Sequence, residues 1–373
     1  MPKLKVGVLF GGRSAEHEVS LVSATSVMNS LDKNKYEIIP IAITPEGKWL
    51  SSADSMKLLK EKSPTANQPE QILLPNPQHR GIVNNSAWVR QIKPVDVIFP
   101  ALHGTYGEDG TIQGLFELAD IPYVGAGVLG SSVGMDKVVQ KELLKHAGIP
   151  TAPSVWFTSS EFRKNQPLVL QTIEKSLGYP MFIKPPNAGS SIGITKAHNR
   201  KELIAGLGLA AQYDRKILVE DGIKNAREIE CSVLGNDTPG ASVLGEIVSS
   251  NEFYDYDAKY VDGKSKAVIP AKLPPAVAKK IRAFAVSAFR VLDCSGMARV
   301  DFLVQKKTNK IFLNEINTIP GFTSISMYPK LWEASGIPYS ALLDRLIELA
   351  LERHAEKKLL RTTYQPKKDW YKE

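Results

Sequence analysis

Cysteine and long apolar runs are both scarce in this sequence. Its 373 residues include two cysteines, Cys231 and Cys294, which are too few for a disulfide framework or a four-cysteine zinc site. No apolar run approaches the roughly 18 residues that span a bilayer. The first run, Val6–Phe10, is too short for the core of a signal peptide. These absences predict a cytoplasmic protein without membrane insertion.

Neither sign of charge dominates strongly. Lysine and arginine number 47 against 39 acidic residues, which gives a formal net charge of +8. An apolar fraction of 43% with 23% charged residues excludes disorder, collagen and coiled coil. Part of the basic excess lies in the tail from Arg353 to Lys372, without an aromatic-interleaved stripe or a nucleic-acid motif. We therefore expect no nucleic-acid partner.

The order of predicted elements indicates an α/β protein of three domains. Strands at Val6–Phe10, Tyr36–Ile43 and Val95–Pro100 alternate with helices at Ser20–Leu31 and Ile112–Ala119, which is typical of a doubly wound parallel sheet. Later strands recur at shorter spacing. The predicted units are an amino-terminal domain at 1–135, a central domain at 136–220, a carboxyl-terminal domain at 221–355 and a basic tail at 356–373.

The standard nucleotide motifs are missing. Gly11-Gly12-Arg13-Ser14 follows a strand but does not match the dinucleotide fingerprint. Gly263-Lys264-Ser265 ends like a Walker A loop, yet Ala258 stands where that loop needs glycine. His17-Glu18 lacks the second histidine of a zinc protease.

A predicted hairpin carries the strongest chemical signal. Period-two alternation puts Arg299 and Asp301 on one face of a strand, and Glu315 and Asn317 on one face of the next. Pairing residue 305 with residue 311 sets Asp301 opposite Glu315 and Arg299 opposite Asn317. Two carboxylates and an amide oxygen are ligands that Mg²⁺ prefers, usually together with substrate phosphates. The alternative is a surface hairpin whose charges face water.

A second signal is the loop from Lys184 to Gly193, which contains Pro186-Asn187-Ala188-Gly189-Ser190-Ser191. Its small residues allow backbone N–H groups to approach an anion, and Lys184 adds a positive charge. A flexible surface turn has the same composition. Met135-Asp136-Lys137, at a predicted helix start, is a weaker candidate.

Short blocks spread over about residues 4–350 carry a family resemblance. They are Gly11–Ser20, His103-Gly104, Gly107-Glu108-Asp109-Gly110, Met135-Asp136-Lys137, Lys184 with Gly189-Ser190-Ser191, Tyr254–Tyr260, Arg299-Val300-Asp301, and Asn314–Thr318 with Pro320-Gly321. In this order they resemble the D-alanine–D-alanine ligase family of the ATP-grasp superfamily. The resemblance implies a three-domain ATP-grasp fold, α+β in its ATP-binding part.

The implied reaction joins two molecules of D-alanine at the expense of ATP through an acyl phosphate, for peptidoglycan synthesis. The resemblance implies ATP and Mg²⁺ as cofactors, with Mn²⁺ as a substitute, and a homodimer. Its implied metal ligands are Asp301, Glu315 and Asn317. Its implied ATP contacts are Lys137, Lys184, Ser191, Glu220, Glu228 and Lys259. The two glutamates in that set would bind the adenine or ribose end.

The resemblance also implies substrate-binding and catalytic roles. Glu16 would pair with the ammonium of the first D-alanine, and His103 would lie near its carboxylate. Ser326 and Lys259 would bind the second carboxylate. Arg299 and the N–H of Gly321 would stabilise the oxyanion.

Glu16, Ser190 and Tyr260 would form a hydrogen-bonded triad, with Tyr260 in a lid loop. Relatives that use a hydroxy acid typically replace this tyrosine, so Tyr260 favours an amine as second substrate. The open alternatives are an ATP-grasp ligase for another amino acid, a non-catalytic nucleotide-binding regulator, and a Rossmann oxidoreductase.

Overall fold

The structure is a computed structural model that describes residues 2–50, 54–65, 70–78, 81–84, 92–248 and 266–366. Its helices are α1 (His17–Ser30), α2 (Ser55–Lys60), α3 (Thr111–Leu118), α4 (Val128–Met135), α5 (Lys137–His146), α6 (Ser159–Lys164), α7 (Gln166–Ser176), α8 (Arg200–Tyr213), α9 (Pro275–Val291), α10 (Met327–Glu333) and α11 (Tyr339–Lys358).

Its strands are β1 (Leu4–Gly11), β2 (Tyr36–Ile43), β3 (Trp49–Leu50), β4 (Gln71–Leu73), β5 (Gly81–Asn84), β6 (Ile92–Pro94), β7 (Val97–Pro100), β8 (Ser154–Thr158), β9 (Met181–Lys184), β10 (Thr195–Ala197), β11 (Lys216–Asp221), β12 (Ala226–Gly235), β13 (Gly240–Val248), β14 (Lys266–Val268), β15 (Gly296–Gln305) and β16 (Ile311–Asn317). β4, β5 and β6 pair in a small antiparallel sheet.

The first sheet has the order β3-β2-β1-β7, and β1 runs parallel to both β2 and β7. Successive residues of β1 enter opposite cores, which explains its nearly continuous apolar run. Phe10 packs in the core that α1 and α11 cover, whereas Leu9 packs in the core that α3 covers. The doubly wound parallel sheet predicted for the amino-terminal part is confirmed, with β3 added as an antiparallel edge.

The second sheet, β10-β9-β11-β8, is antiparallel and covered on one side by α6, α7 and α8. Ile183 and Val219 point into this core and are fully buried. Because side chains alternate along a strand, Lys184 and Glu220 point to the opposite side. That side faces the third sheet.

The third sheet has the order β14-β13-β12-β15-β16. Val300 and Phe302 of β15 pack with Phe289 of α9, so the face with Arg299 and Asp301 is turned away from this core. The sequence-based boundaries near 135 and 220 correspond to the junction of α4 with α5 and to the last residues of β11.

A bulge in β16 corrects the predicted hairpin register. Arg299 pairs with Asn317 and Asp301 with Glu315 as expected, but Val304, not residue 305, pairs with Ile311. Because a one-residue slip turns every side chain to the other face, an unbroken register would have exposed Ile311 and Leu313 on the polar side. The bulge returns both to the core and keeps Glu315 on the polar face.

Helix α11 closes the first core although it comes late in the chain. Leu342, Leu346 and Ile347 are buried in the cluster that contains Phe99 and Phe10. Arg353 lies over the Tyr123 ring at 4.4 Å and donates to the carbonyl of Tyr123 at 3.1 Å. Among the described residues, no helix has the length and apolar character needed to cross a membrane.

Candidate active site

Two adjoining cavities lie where the three sheets meet. The larger, about 560 Å³, separates the second sheet from the third and is lined by Lys184, Glu220, Glu228 and Asp301, among others. The smaller, about 300 Å³, reaches the first sheet and includes Glu16 and His103 in its lining. Ser191, Arg299 and Glu315 line both. A ligand in one cavity would therefore be close to a ligand in the other.

Three carboxylates form a row across the third sheet, which we call the acidic face: Glu230 of β12, Asp301 of β15 and Glu315 of β16. Strand pairing sets Glu230 opposite Asp301 and Asp301 opposite Glu315. Arg299 binds Asp301 through two hydrogen bonds of 2.7 and 2.6 Å, and its Nε lies 3.1 Å from Glu230. Although burial opposes the charged form, Asp301 and Glu230 raise the pKa of Arg299 well above its ordinary value.

The predicted metal ligands are brought together. Asn317 donates to Asp301 at 3.1 Å, so its amide oxygen is turned away from that contact, and Glu315 is directly opposite Asp301. These oxygen donors suit a hard cation. Across the described ranges, no group of three or more His, Cys, Asp and Glu side chains has metal-binding geometry. The predicted set, with two carboxylates and one amide, would thus need further oxygens from a substrate.

Opposite the acidic face lies the basic cluster, defined as Lys141, Lys184 and Glu220. The Nζ of Lys141 is 2.5 Å from Glu220 Oε1, and the Nζ of Lys184 is 2.6 Å from Glu220 Oε2. Burial would raise the pKa of Glu220, but the two lysines lower it to about 2. Both oxygens of this buried glutamate thus contact lysines. The resemblance implies that Glu220 binds the adenine or ribose; in the structure it lines the larger cavity, and its carboxylate contacts two lysines.

Lys137 connects the two sides of the cavity. Asp136 caps α5 by accepting from the N–H groups of Val138 and Val139, which fixes the direction of the helix start. The Nζ of Lys137 lies 3.3 Å from Glu315 and donates to the Ala188 carbonyl at 3.1 Å. Lys137 and Lys184 therefore both point into the space between the sheets.

The 186–193 loop lies over Glu16. The Ser190 hydroxyl donates to the Glu16 carboxylate, and a Cβ on Gly189 would collide with that same carboxylate. Ser190 and Ser191 have φ of 44° and 61°, in the left-handed region that rarely suits residues other than glycine. This close contact holds two predicted triad members together from segments more than 170 residues apart in sequence.

Asn187 anchors the start of this loop. Its backbone N–H and side-chain amide donate to Asp214 at 2.8 and 2.9 Å. Lys216 contacts Asp136 at 2.5 Å in the same network. The loop is thus attached to both α5 and β11.

His103 is held by protein partners on both ring nitrogens. Its Nδ1 lies 3.2 Å from the Ile319 carbonyl, which can only accept, so Nδ1 carries the proton. Its Nε2 then accepts from the Ser23 hydroxyl at 2.9 Å. Burial lowers the pKa of His103, which favours the neutral ring. His103 lines the smaller cavity but has no spare ring N–H for a carboxylate.

Gly321 and Ser326 lie next to each other in the smaller cavity. A Cβ on Gly321 would come within 2.7 Å of Ser326 Oγ, so glycine is needed for this approach. Ser326 precedes α10 but makes no side-chain cap; its hydroxyl accepts from the Thr323 N–H at 3.0 Å. Glu228 lines the larger cavity, and its contact with a nucleotide stays a prediction. Lys259 and Tyr260 lie outside the described residues.

Three further site residues were missed at the sequence level: Lys141, Glu230 and Glu108. Glu230 follows Glu228 by two residues, so strand alternation could have found it. Glu108 accepts from the Gly104 N–H at 2.9 Å, and burial with the charge of Glu16 raises its pKa to about 8. No sequence signal marks Lys141 as buried.

Two antiparallel units facing each other across a charged cavity, beside a parallel sheet, define the ATP-grasp class of ligase folds. Family models described as "D-ala D-ala ligase N-terminus" and "D-ala D-ala ligase C-terminus" match residues 5–126 and 143–348. The chain belongs to the D-alanine–D-alanine ligase family.

Individual relatives agree with this assignment. The chain is 54% identical over 371 residues to a D-alanine–D-alanine ligase of Chloroherpeton thalassium, covering 96% of this chain and 99% of the relative. The crystal structure of VanG D-Ala:D-Ser ligase from Enterococcus faecalis matches with a TM-score of 0.83 at 40% identity, covering 94% of this chain and all of the other. The Bacillus anthracis ligase complexed with ATP matches with a TM-score of 0.69 at 31% identity, covering 96% and 100%.

Proposed function

We propose that the protein joins two D-alanine molecules into D-alanyl-D-alanine, with ATP converted to ADP and phosphate, for peptidoglycan synthesis in the cytoplasm. The observation that carries the proposal is the convergence of Glu16, Ser190 and Arg299 beside the acidic face in adjoining cavities. A phosphate-binding side and an amino-acid-binding side then lie within reach of each other. Family membership supports the same reaction.

The carboxylate of the first D-alanine would attack the γ-phosphorus of ATP, ADP would leave, and an acyl phosphate would result. The amine of the second D-alanine would attack that carbonyl, phosphate would leave, and the amine would release a proton. Lys137 and Lys184 would bind the phosphates, and Ser191 and Glu228 would contact the nucleotide. Glu220 would act on it through the lysines that it contacts.

Asp301, Glu315 and Asn317 would hold Mg²⁺, for which Mn²⁺ could substitute. Bound there, the ion would neutralise charge that develops during phosphoryl transfer. In the described structure Arg299 and Lys137 balance these carboxylates, so cation binding would release both side chains toward substrate. Arg299 and the Gly321 N–H would then stabilise the oxyanion of the second step.

Glu16 would bind the ammonium of the first D-alanine, and Ser190 would hold the 186–193 loop over it. His103, with both nitrogens occupied, would support the Ile319 turn beside the substrate carboxylate. Ser326 and Lys259 would bind the second D-alanine, and Tyr260 would complete the triad that selects an amine. We also propose a homodimer, which light scattering of the purified protein would test.

The test is product analysis. Purified protein with ATP, Mg²⁺ and D-alanine should yield D-alanyl-D-alanine by mass spectrometry, with one ADP per dipeptide. Offering D-serine or D-lactate as the competing second substrate should leave the alanine dipeptide as the main product. ADP release only with another amino acid would replace this substrate assignment, and nucleotide binding without any product would favour the regulator alternative.

A further inference from the structure

Lys141 is a buried cation that does not line either cavity, so the proposed reaction gives it no direct contact with substrate. It lies one turn after Lys137 on α5, so both side chains leave the same face of the helix. The Lys141 side chain is 2% exposed and ends 2.5 Å from Glu220. Lysine is almost never fully buried unless it is paired, so this position calls for a physical explanation.

The charges around Glu220 supply one. Two ammonium groups contact a single carboxylate, one at each oxygen. With Lys141 present, the cluster has an excess positive charge at the wall of the larger cavity. Without Lys141, Lys184 alone would balance Glu220, and the cluster would be neutral. A neutral cluster attracts an anion far less than a cationic one, especially where water is excluded.

The position of Lys184 indicates where this charge is presented. Lys184 Nζ also lies 3.4 Å from the side-chain oxygen of Asn314 on β16, so it extends from the second sheet toward the third. Burial opposes its charged form, but Glu220 and Glu315 together raise the pKa of Lys184. For Lys141 the effect of burial is larger than that of the neighbouring carboxylate, so its pKa is lowered. Lys141 contacts Glu220 from the side away from the cavity and is not part of the cavity lining.

We propose that Lys141 is a positioning residue for nucleotide phosphates: it shares Glu220 with Lys184 and so leaves the Lys184 ammonium available to an anion in the cavity. This inference rests on the proposed function, because it takes the anion to be the phosphate chain of ATP. Lys141 itself does not touch the nucleotide.

Calorimetric titration of Lys141→Met with ADP and with adenosine tests the proposal. Wild type is titrated with ADP first, since failure to bind would contradict the proposed function and not the role of Lys141. The variant should bind ADP about tenfold more weakly, the loss expected for one weakened charge-assisted contact, and adenosine within about twofold of wild type. In steady-state kinetics the KM for ATP should rise similarly while the KM for D-alanine stays unchanged. Lys145→Met, one turn further and exposed, is the matched control and should change neither ligand.

Equal weakening of ADP and adenosine, or unchanged ADP binding, would overturn the proposal. If Lys141→Met fails to fold, the double variant Lys141→Met/Glu220→Gln is measured in its place. It should fold more readily, because it removes both charges of the buried pair and leaves neither of them unpaired. There Lys184 no longer contacts a charged Glu220, so ADP affinity should return to within about threefold of wild type. ADP binding that stays tenfold weak in the double variant would instead mean that Lys141 acts on phosphate directly, which also contradicts the proposal.

Discussion

The basic cluster and the acidic face lie on facing sheets and carry net charges of opposite sign. In the basic cluster two cations surround one carboxylate, and all three side chains are at most 10% exposed. On the acidic face three carboxylates lie in a row, with Arg299 bound to two of them and Lys137 to the third. One side thus has surplus positive charge, which suits the proposed phosphate contacts, and the other has surplus negative charge, which suits the proposed metal ion.

The two regions also differ in whether their ion pairs are expected to change when a ligand binds. The basic cluster is closed by its own ion pairs, which predicts an arrangement that persists without ligand. On the acidic face, by contrast, Arg299 and Lys137 neutralise groups that are predicted to bind Mg²⁺ and substrate. The comparison therefore predicts that substitutions in the two regions separate nucleotide affinity from turnover.

The largest effect is expected from Asp301→Asn. Losing a proposed metal ligand would remove several kcal/mol of transition-state stabilisation, so kcat should fall by about 10³-fold. ADP binding without Mg²⁺ should change little, as titration would show. Asp237→Asn, at an exposed turn of the same sheet, is the control. Turnover near that of wild type would remove Asp301 from the metal site.

A smaller effect is expected from Lys184→Met. One charged hydrogen-bonding partner is worth roughly 1.5–3 kcal/mol, so ADP binding should weaken about 10- to 100-fold. Turnover at saturating ATP should fall far less than in Asp301→Asn. Lys201→Met, on the exposed side of α8, provides the comparison. If Lys184→Met lost turnover but kept ADP affinity, the hypothesis that the basic cluster sets nucleotide affinity and the acidic face sets turnover would be wrong.

Gly189→Ala tests the loop that connects both regions. The added Cβ would press against the Glu16 carboxylate and separate it from Ser190. Overpacking of this kind costs about 1–3 kcal/mol, and we expect kcat/KM for D-alanine to fall by about tenfold. The melting temperature should stay close to that of wild type, because the loop lies outside the main cores. An unchanged kcat/KM would mean that the Glu16–Ser190 contact is not needed for catalysis.

The smallest effect should appear as an acid-dependent stability difference between wild type and Glu220→Gln. The pKa of Glu220 is about 2 in the fold, below the ordinary 4.5, so its contribution is present above pH 4.5 and is lost as the pH falls toward 2. In urea unfolding the advantage of wild type should shrink by about 1 kcal/mol per pH unit across that window. An advantage that is constant with pH would show that the lysine contacts do not depress this pKa.

Alternation and glycine turns were sufficient to predict the three parallel strands of the first sheet and both strands of the hairpin that carries the proposed metal ligands. The bulge at Asn314 was not predicted, although the spacing of Ile311, Leu313 and Ile316, two residues and then three, is its signature. Helix α11 was also missed, despite the helical spacing of Leu342, Leu346 and Ile347. In both cases the spacing of the apolar residues in the sequence was sufficient to predict the feature.

Lys141 and His103 illustrate what one sequence cannot give. Both are polar residues whose partners are distant in the chain: Glu220 for Lys141, and Ser23 with Ile319 for His103. Whether such a side chain faces a ligand or a protein partner depends on tertiary packing, which local periodicity does not encode. The family resemblance implies that His103 lies near a substrate carboxylate; the structure places it in the lining of the smaller cavity and identifies its two protein partners.

The late position of helix α11 has a consequence for synthesis on the ribosome. Pro100 ends the first sheet, and the helix that covers one face of that sheet begins at Tyr339, so 239 positions separate them. During translation α1 would cover part of this face early, but the apolar surface that α11 covers beside Phe10 and Phe99 would stay exposed until nearly the whole polypeptide has emerged. Apolar surface of this kind attracts chaperones, and premature termination before the helix would leave an aggregation-prone fragment.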